Sequence, residues 1–390
     1  MTASPLSLVV GQLVPPVATN TLLLVASFLL LLLGAEIFTN GVEWLGHRLG
    51  VSESATGSIL AAVGTALPET MIPVIAILQA VLGSGSQAAA DEVGVGAILG
   101  APFMLSTIAM FLVGSSVLYF QSRRQFGAEM HFNEQSTQRD LSFFLVGYTL
   151  AFIAAVIHNE LVGIAIGIVL VLLYLVYLVR SLQSGELVES EDLEELHLGR
   201  IAEGASKRLT SGGNGNHAGD PHVALVVLQT LGALGIIIGG AHIFVGQTTW
   251  VSEEILKMPA AVIALLIAPL ATELPEKFNS VIWISRDKDT LALGNISGAM
   301  AFQGTLPVTL GILFTSWNLS LTWGTTGFLN GFSAILAIVS GGILYLRARN
   351  VKEGNMSPYP FLIGGLFYAL FIAVLLYHVF VIGIQAAGAH

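Results

Sequence analysis

The sequence of 390 residues is 54% hydrophobic and only 10% charged, with a mean hydropathy of +0.80 and a net charge of −10. A soluble domain carries about a quarter charged residues, so the composition argues against a soluble enzyme, and the acidic balance gives no footing for a nucleic-acid partner. The absence of cysteine removes disulfides and thiolate metal sites, and the 43 glycines fit membrane helices, where Gly is commoner than in soluble ones.

A membrane span needs about 20 mostly apolar residues. The N-terminal MTASPLSLVVGQLVPP has no Lys or Arg and lacks the charged start of a secretory signal, so the first apolar run, 20–46, is expected to be a retained span. It carries Glu36. The second run, 54–82, holds Thr65-Ala66-Leu67-Pro68-Glu69. Asp91 and Glu92 follow as an expected solvated outer loop, and the third run covers 93–120. Runs 141–158 and 160–181 are separated only by His158, Asn159 and Glu160; that trio is not His-Glu-x-x-His and gives no zinc protease. Next comes a hydrophilic stretch, 182–221, with an acidic part from Glu186 to Glu195 and a run SGGNGNHAGDPH. It is expected to be a flexible linker, with a regulatory cation site on its carboxylates as the alternative. Five further runs cover 222–246, 258–285, 289–316, 321–347 and 358–386. The pattern predicts an all-α integral membrane protein with ten transmembrane helices.

The basic residues test this map. Arg48, then Arg123, Arg124 and Arg139, then Arg180, Arg200, Lys207 and Arg208, then Arg286 and Lys288, then Arg347, Arg349 and Lys352 fall in the odd-numbered loops; Lys257 lies in an even loop and Lys277 inside a span. The positive-inside rule therefore predicts a multi-pass protein of the cell (inner) membrane with both termini outside and the central loop cytoplasmic.

The two sides of that loop repeat one another. Gly34-Ala35-Glu36-Ile37-Phe38 recurs as Gly240-Ala241-His242-Ile243-Phe244, Thr65-Ala66-Leu67-Pro68-Glu69 as Thr272-Glu273-Leu274-Pro275-Glu276, and Gly96-Ala97-Ile98-Leu99-Gly100 as Gly294-Asn295-Ile296-Ser297-Gly298. Five spans per half insert the second half in the opposite sense. The expected organisation is a first repeat at 1–181, a linker at 182–221 and an inverted second repeat at 222–390, the arrangement that supports alternating access around a midplane site.

Ionisable groups at membrane depth are costly and usually functional. Glu69 and Glu276 stand at matching positions, and an inverted repeat brings them face to face. Two carboxylates held close in low dielectric repel, and a divalent ion between them neutralises both. Pro68 and Pro275 have no N–H, which frees the carbonyls of Gly64 and Ala271. With the hydroxyls of Thr65 and Thr272 these groups make an all-oxygen shell of the kind Ca²⁺ prefers, whereas Mg²⁺ dehydrates reluctantly. Asn295 and Gln303 on the eighth helix are candidates to add amide oxygens, with interhelical bonding as the alternative for Gln303. Glu273 stands four residues before Lys277, a favourable ion-pair spacing. Either the pair neutralises itself or it takes part in counter-ion exchange, the ammonium standing in for a monovalent cation or the third carboxylate carrying a proton. Glu36 and its repeat partner His242 are read as buried groups, with His242 a candidate proton-responsive side chain.

GTALPET (64–70) and ATELPEK (271–277), each followed by a Gly-rich helix, GAILGAP (96–102) and GNISGAM (294–300), resemble the two α-repeats of the Ca²⁺/cation antiporter superfamily, which contains the Na⁺/Ca²⁺ exchangers. The resemblance covers nearly the whole chain. It implies ten helices with Ca²⁺ and Na⁺ sites between helices two, three, seven and eight, ligand glutamates at Glu69 and Glu276, and threonines at Thr65 and Thr272. The sequence departs from the family pattern at Ala66, Ala97, Ala101-Pro102 and Ala299-Met300, where side-chain oxygens used for Na⁺ are missing, and at Glu273, where a carboxylate replaces the usual Ser. The implied activity is exchange of Ca²⁺ for Na⁺ or for H⁺, with inorganic cations and the lipid bilayer as partners, no cofactor, and one chain sufficing because its own two halves make the site. A non-coupled cation channel is the alternative of another class, and it predicts a pore built by symmetric subunits.

Overall fold

The computed structural model describes residues 16–48, 66–83, 87, 90–157, 159–183, 196–198, 221–256, 260–317, 319, 321–351 and 354–383. In hydrocarbon each backbone N–H and C=O must be satisfied inside the protein, so the apolar runs become helices. In chain order these are α1 (Pro16–Arg48), α2 (Leu67–Val81), α3 (Ala90–Phe120, with π-helical turns at Ala90–Gly94 and Leu105–Ala109), α4 (Glu134–Ile157), α5 (Glu160–Leu182), α6 (Val223–Trp250), α7 (Ala260–Thr272), α8 (Leu274–Ser285), α9 (Asp289–Gln303), α10 (Leu306–Phe314), α11 (Thr326–Arg349) and α12 (Tyr359–Tyr377). One antiparallel pair, β1 (Met130–His131) with β2 (Asn355–Met356), joins two loops.

Among the described residues eight stretches are long and apolar enough to cross a membrane: Val17–Val42, α3, α4, Glu160–Ser181, α6, Asp289–Phe314, α11 and Tyr359–Ile382. Each overlaps one of the runs read from the sequence. The two remaining runs are those that carry Thr-x-Leu-Pro-Glu. Of 54–82, the described helix is α2, beginning at Leu67, and 54–65 lie outside the described residues. The run 258–285 is divided into α7 and α8 at Glu273.

The most buried spans are α3 and Asp289–Phe314; α1 and α12 are the least buried. Apolar side chains such as Leu161, Leu172, Leu231 and Leu366 point outward, the surface expected against lipid. Helices α1 and α6 run together on small residues. A Cβ on Gly34 would lie 2.7 Å from Ile237, one on Gly240 3.2 Å from Leu31, and one on Gly41 2.6 Å from the Thr230 hydroxyl. Gly34 and Gly240 are repeat partners, and so are Leu31 and Ile237, which makes the contact reciprocal.

The central helix α3 meets α7 with almost no clearance. A Cβ on Gly100 would lie 2.4 Å from the Leu265 carbonyl oxygen and 2.6 Å from the Pro269 ring. Backbone cannot step aside as a flexible side chain can, so Gly100→Val is expected to lower stability by about 1–3 kcal/mol, read as a drop in the melting temperature of the detergent-solubilised protein.

Two polar features tie the rest together. Arg124, in the loop after α3, is buried and has every guanidinium N–H occupied: Nε donates to the Gly127 carbonyl (3.2 Å), Nη1 to the Ile284 carbonyl (2.6 Å) and Asp289 Oδ1 (2.8 Å), Nη2 to the Glu129 carbonyl (3.0 Å) and Asp289 Oδ2 (2.7 Å). The backbone N–H of His131 also donates to Asp289 Oδ2 (2.9 Å). The second feature lies in the stretch expected to be a flexible linker. Its described residues 196–198 are docked: Leu196 is buried with Trp44 and Val226, the His197 N–H donates to Asn40 Oδ1 (3.2 Å), and the Leu198 N–H donates to Gln229 Oε1 (2.8 Å). Asn40 and Gln229 are themselves bonded across α1 and α6, Nε2 to Oδ1 at 2.8 Å. The acidic part, Glu186 to Glu195, lies outside the described residues.

Candidate cation site

The Thr-x-Leu-Pro-Glu segments are where two helices are interrupted. Ala66 has φ −82°, ψ 2° and precedes α2; Glu273 has φ −85°, ψ 7° and separates α7 from α8. The repeated residues thus share one backbone conformation, in the sparsely populated bridge region where functional residues are often found. Proline explains the break. Without an N–H it cannot serve the carbonyl four residues earlier, and its ring opposes a continuing helix, but it is well placed in a helix's first turn. Pro68 and Pro275 occupy that turn in α2 and α8. Glu69 and Glu276 fall one residue later, so each short helix opens with a carboxylate at its positive end.

Glu69 is 3% exposed, and neither carboxylate oxygen has a hydrogen-bond partner. The Thr272 hydroxyl is its polar neighbour from the other half, and Lys277 and Glu273 act on it electrostatically. Thr272 and Glu273 are buried at 0% and 1%. Lys277 Nζ donates to Glu273 Oε2 at 2.8 Å, while Glu273 Oε1 is buried without a partner. A carboxylate left bare in the interior costs free energy unless a cation completes it. The three unpartnered oxygens, two on Glu69 and one on Glu273, are the candidate ligands here for a hard cation.

The other expected ligands divide. Asn295 is buried on α9. Gln303, also on α9, reaches the break in the other half: its Nε2 donates to the Ala66 carbonyl at 3.4 Å. Gly64 and Thr65 lie outside the described residues, and of Ala271 and Glu276 only the backbone, in α7 and α8, is described. Among the described residues no three His, Asp or Glu side chains converge as a metal cluster, so the described donors are Glu69, Glu273 and hydroxyl or amide oxygens.

Some readings need correction. Glu36 was expected to be buried, yet its side chain is 69% exposed and lies 3.9 Å from the His197 imidazole. His242 is also exposed, with Nδ1 2.9 Å from Gln79 Nε2. Both sit on the outer faces of α1 and α6, because an ionisable residue in an apolar run does not reveal which way the helix turns it. Asp91 and Glu92 are helical, not loop, and Asp91 accepts bonds from the Ser316 N–H (2.8 Å) and hydroxyl (2.7 Å), fixing α3 to the end of α10. His158 lies outside the described residues. A buried acid that the sequence reading passed over is Asp140, which is 0% exposed, pairs with Arg139 (3.1 Å) and accepts from the Ser297 hydroxyl (2.9 Å) on α9. Its signal was an Asp at the edge of an apolar run, placed one residue outside the expected span.

Residues 19–183 and 225–380 match the sodium/calcium exchanger protein family. Over 347 residues the chain is 24% identical to an uncharacterized membrane protein of Methanocaldococcus jannaschii, covering 88% of this chain and 93% of that protein. Its fold resembles that of the H⁺/Ca²⁺ exchanger CAX, with a TM-score of 0.59 at 16% identity over 96% of this chain and 91% of that one. It also resembles that of the sodium-calcium exchanger NCX_Mj, with a TM-score of 0.56 at 17% identity over 92% of this chain and 99% of that one.

Proposed function

This chain is a member of the sodium/calcium exchanger protein family, and from that premise we propose that it is a secondary active transporter that exchanges Ca²⁺ for Na⁺ or H⁺ by alternating access. The observation that carries the reading is the bare, buried carboxylate of Glu69 beside Thr272 of the other half, at a break that both halves share. Glu276, opening α8 as Glu69 opens α2, is the second carboxylate, with Thr65, Thr272, Glu273, Asn295 and the carbonyls of Gly64 and Ala271 completing an oxygen shell of the flexible kind that suits Ca²⁺. Interrupted helices near the midplane are where transporters bind ions.

The organisation proposed with it has ten spans: the eight uninterrupted ones, the span ending in α2, and the span made of α7 and α8. They form two inverted repeats, 1–181 and 222–390, around a cytoplasmic linker, 182–221. The reciprocal α1–α6 contact and the matching dihedrals at Ala66 and Glu273 support this. The basic residues of the odd loops support termini outside the cell membrane. Because one chain supplies both carboxylates, the working unit is a monomer, which also favours a transporter over a channel ringed by subunits.

The test is uptake of radioactive Ca²⁺ into proteoliposomes with Na⁺ and pH gradients imposed separately. Uptake driven by at least one outward gradient is expected. Passive equilibration that neither gradient accelerates would identify an uncoupled pore and overturn the antiporter reading.

A further inference from the structure

The Ca²⁺ site as described leaves one buried charge without a task, the ammonium of Lys277. It is 3% exposed and bonds Glu273 Oε2 at 2.8 Å. An ion pair at this spacing on an exposed helix contributes about 0.2–0.5 kcal/mol. Buried, the same pair loses hydration from both ions, and apolar residues of equal size would serve stability as well or better. Stability therefore does not account for it. Its place does: Glu273 is the residue at which α7 gives way to α8, and Lys277 lies in the first turn beyond, acting electrostatically on Glu69.

The charges close around one divalent ion. In the proposed site Glu69, Glu273 and Glu276 would bring three negative charges and Lys277 one positive charge, leaving two negative charges to be neutralised. Lys277 takes one oxygen of Glu273 and leaves the other, Oε1, bare, so the pair offers the site an oxygen ligand with no net charge. A free monovalent cation would need that same carboxylate, and the buried Ala66, Ala97, Ala101 and Ala299, at positions where the exchanger repeats carry side-chain oxygens, supply none for a second ion. A tethered ammonium competes at a high effective concentration that a dissolved ion must exceed.

We infer that the Lys277 ammonium is a built-in monovalent cation occupying the place beside Glu273 that a free Na⁺ would take, so that Ca²⁺ binding and transport by this chain are independent of Na⁺. The inference rests on the Ca²⁺ reading of the Glu69 site and narrows its counter-ion.

The experiment measures radioactive Ca²⁺ bound to the purified full chain while NaCl is titrated against choline chloride at constant ionic strength. In the wild type, Na⁺ is expected to displace no more Ca²⁺ than choline does. In Lys277→Met, Na⁺ is expected to compete, halving bound Ca²⁺ at a concentration about tenfold or more below any effect on the wild type, the equivalent of about 1.4 kcal/mol. In Glu273→Gln/Lys277→Met, which removes the vacated carboxylate as well, that competition disappears; this variant also serves if the single one does not fold. Displacement of Ca²⁺ from the wild type by Na⁺, Ca²⁺ uptake driven by a Na⁺ gradient alone, or competition that persists in the double variant overturns the role of Lys277 while leaving the Ca²⁺ site standing. A wild-type protein that binds no Ca²⁺ overturns both.

Discussion

Replacing Glu69 by Gln is expected to abolish Ca²⁺ uptake in proteoliposomes while leaving the protein folded. The amide has the size of the acid, so the packing of α2 against its neighbours is kept. The negative charge is not. Glu69 is the described carboxylate with both oxygens buried and unpartnered, so no protein group depends on its charge in the way that Lys277 depends on Glu273. Truncating one side of a buried charge pair costs about 2–5 kcal/mol, which in binding is on the order of a thirtyfold to several-thousandfold loss. The check is paired: Ca²⁺ affinity and flux should fall together, while the melting temperature stays level or rises, because an uncompensated buried charge has been removed. Glu276→Gln is expected to match it. Uptake at the wild-type rate in both variants would show that the cation passes elsewhere.

Arg124→Ala is expected to have the largest effect on stability. Asp289 is fully buried, and its two oxygens take bonds from Arg124 and from the His131 N–H. Removing the guanidinium leaves a buried carboxylate with one backbone donor and frees the carbonyls of Ile284, Gly127 and Glu129 at once. Breaking such a pair costs about 3–5 kcal/mol. Lys is a poor substitute, since its three donors cannot reproduce the five-donor planar fork. Arg124→Lys should therefore lie near Arg124→Ala, and Asp289→Asn should recover little. Melting temperatures of the three variants in one detergent decide the point. Additivity of Arg124→Ala and Asp289→Asn would indicate that the two side chains contribute independently.

Much of this molecule is visible in the order of its residues. Eight spans announce themselves by length and apolarity. The interruptions are readable too, because Pro68 and Pro275 lack the proton a continuing helix would need, and Pro followed by Glu gives each new helix an acidic first turn. The rest depends on rotation and distance, which hydropathy does not encode. Glu36 and His242 face outward because of helix phase. Arg124 reads as one of many topogenic positive charges until its partner, 165 residues away, is seen beside it. Leu196 is a single apolar residue in a polar stretch, and its burial is decided by a socket made from Trp44 and Val226 on other helices. Asp140 escaped because its partner Ser297 belongs to the opposite half.

The notches along α1 and α6 set a mechanical limit. Gly34 receives Ile237, Gly41 receives Thr230, and Gly240 receives Leu31, all in a single antiparallel register. Slipping α1 by one turn, about 5.4 Å, would bring Phe38 or Leu30 opposite Ile237, and neither offers a gap for it. The two helices are therefore cogged. A slip of either helix along the other would drive side chains into one another, so this close-packed pair resists sliding.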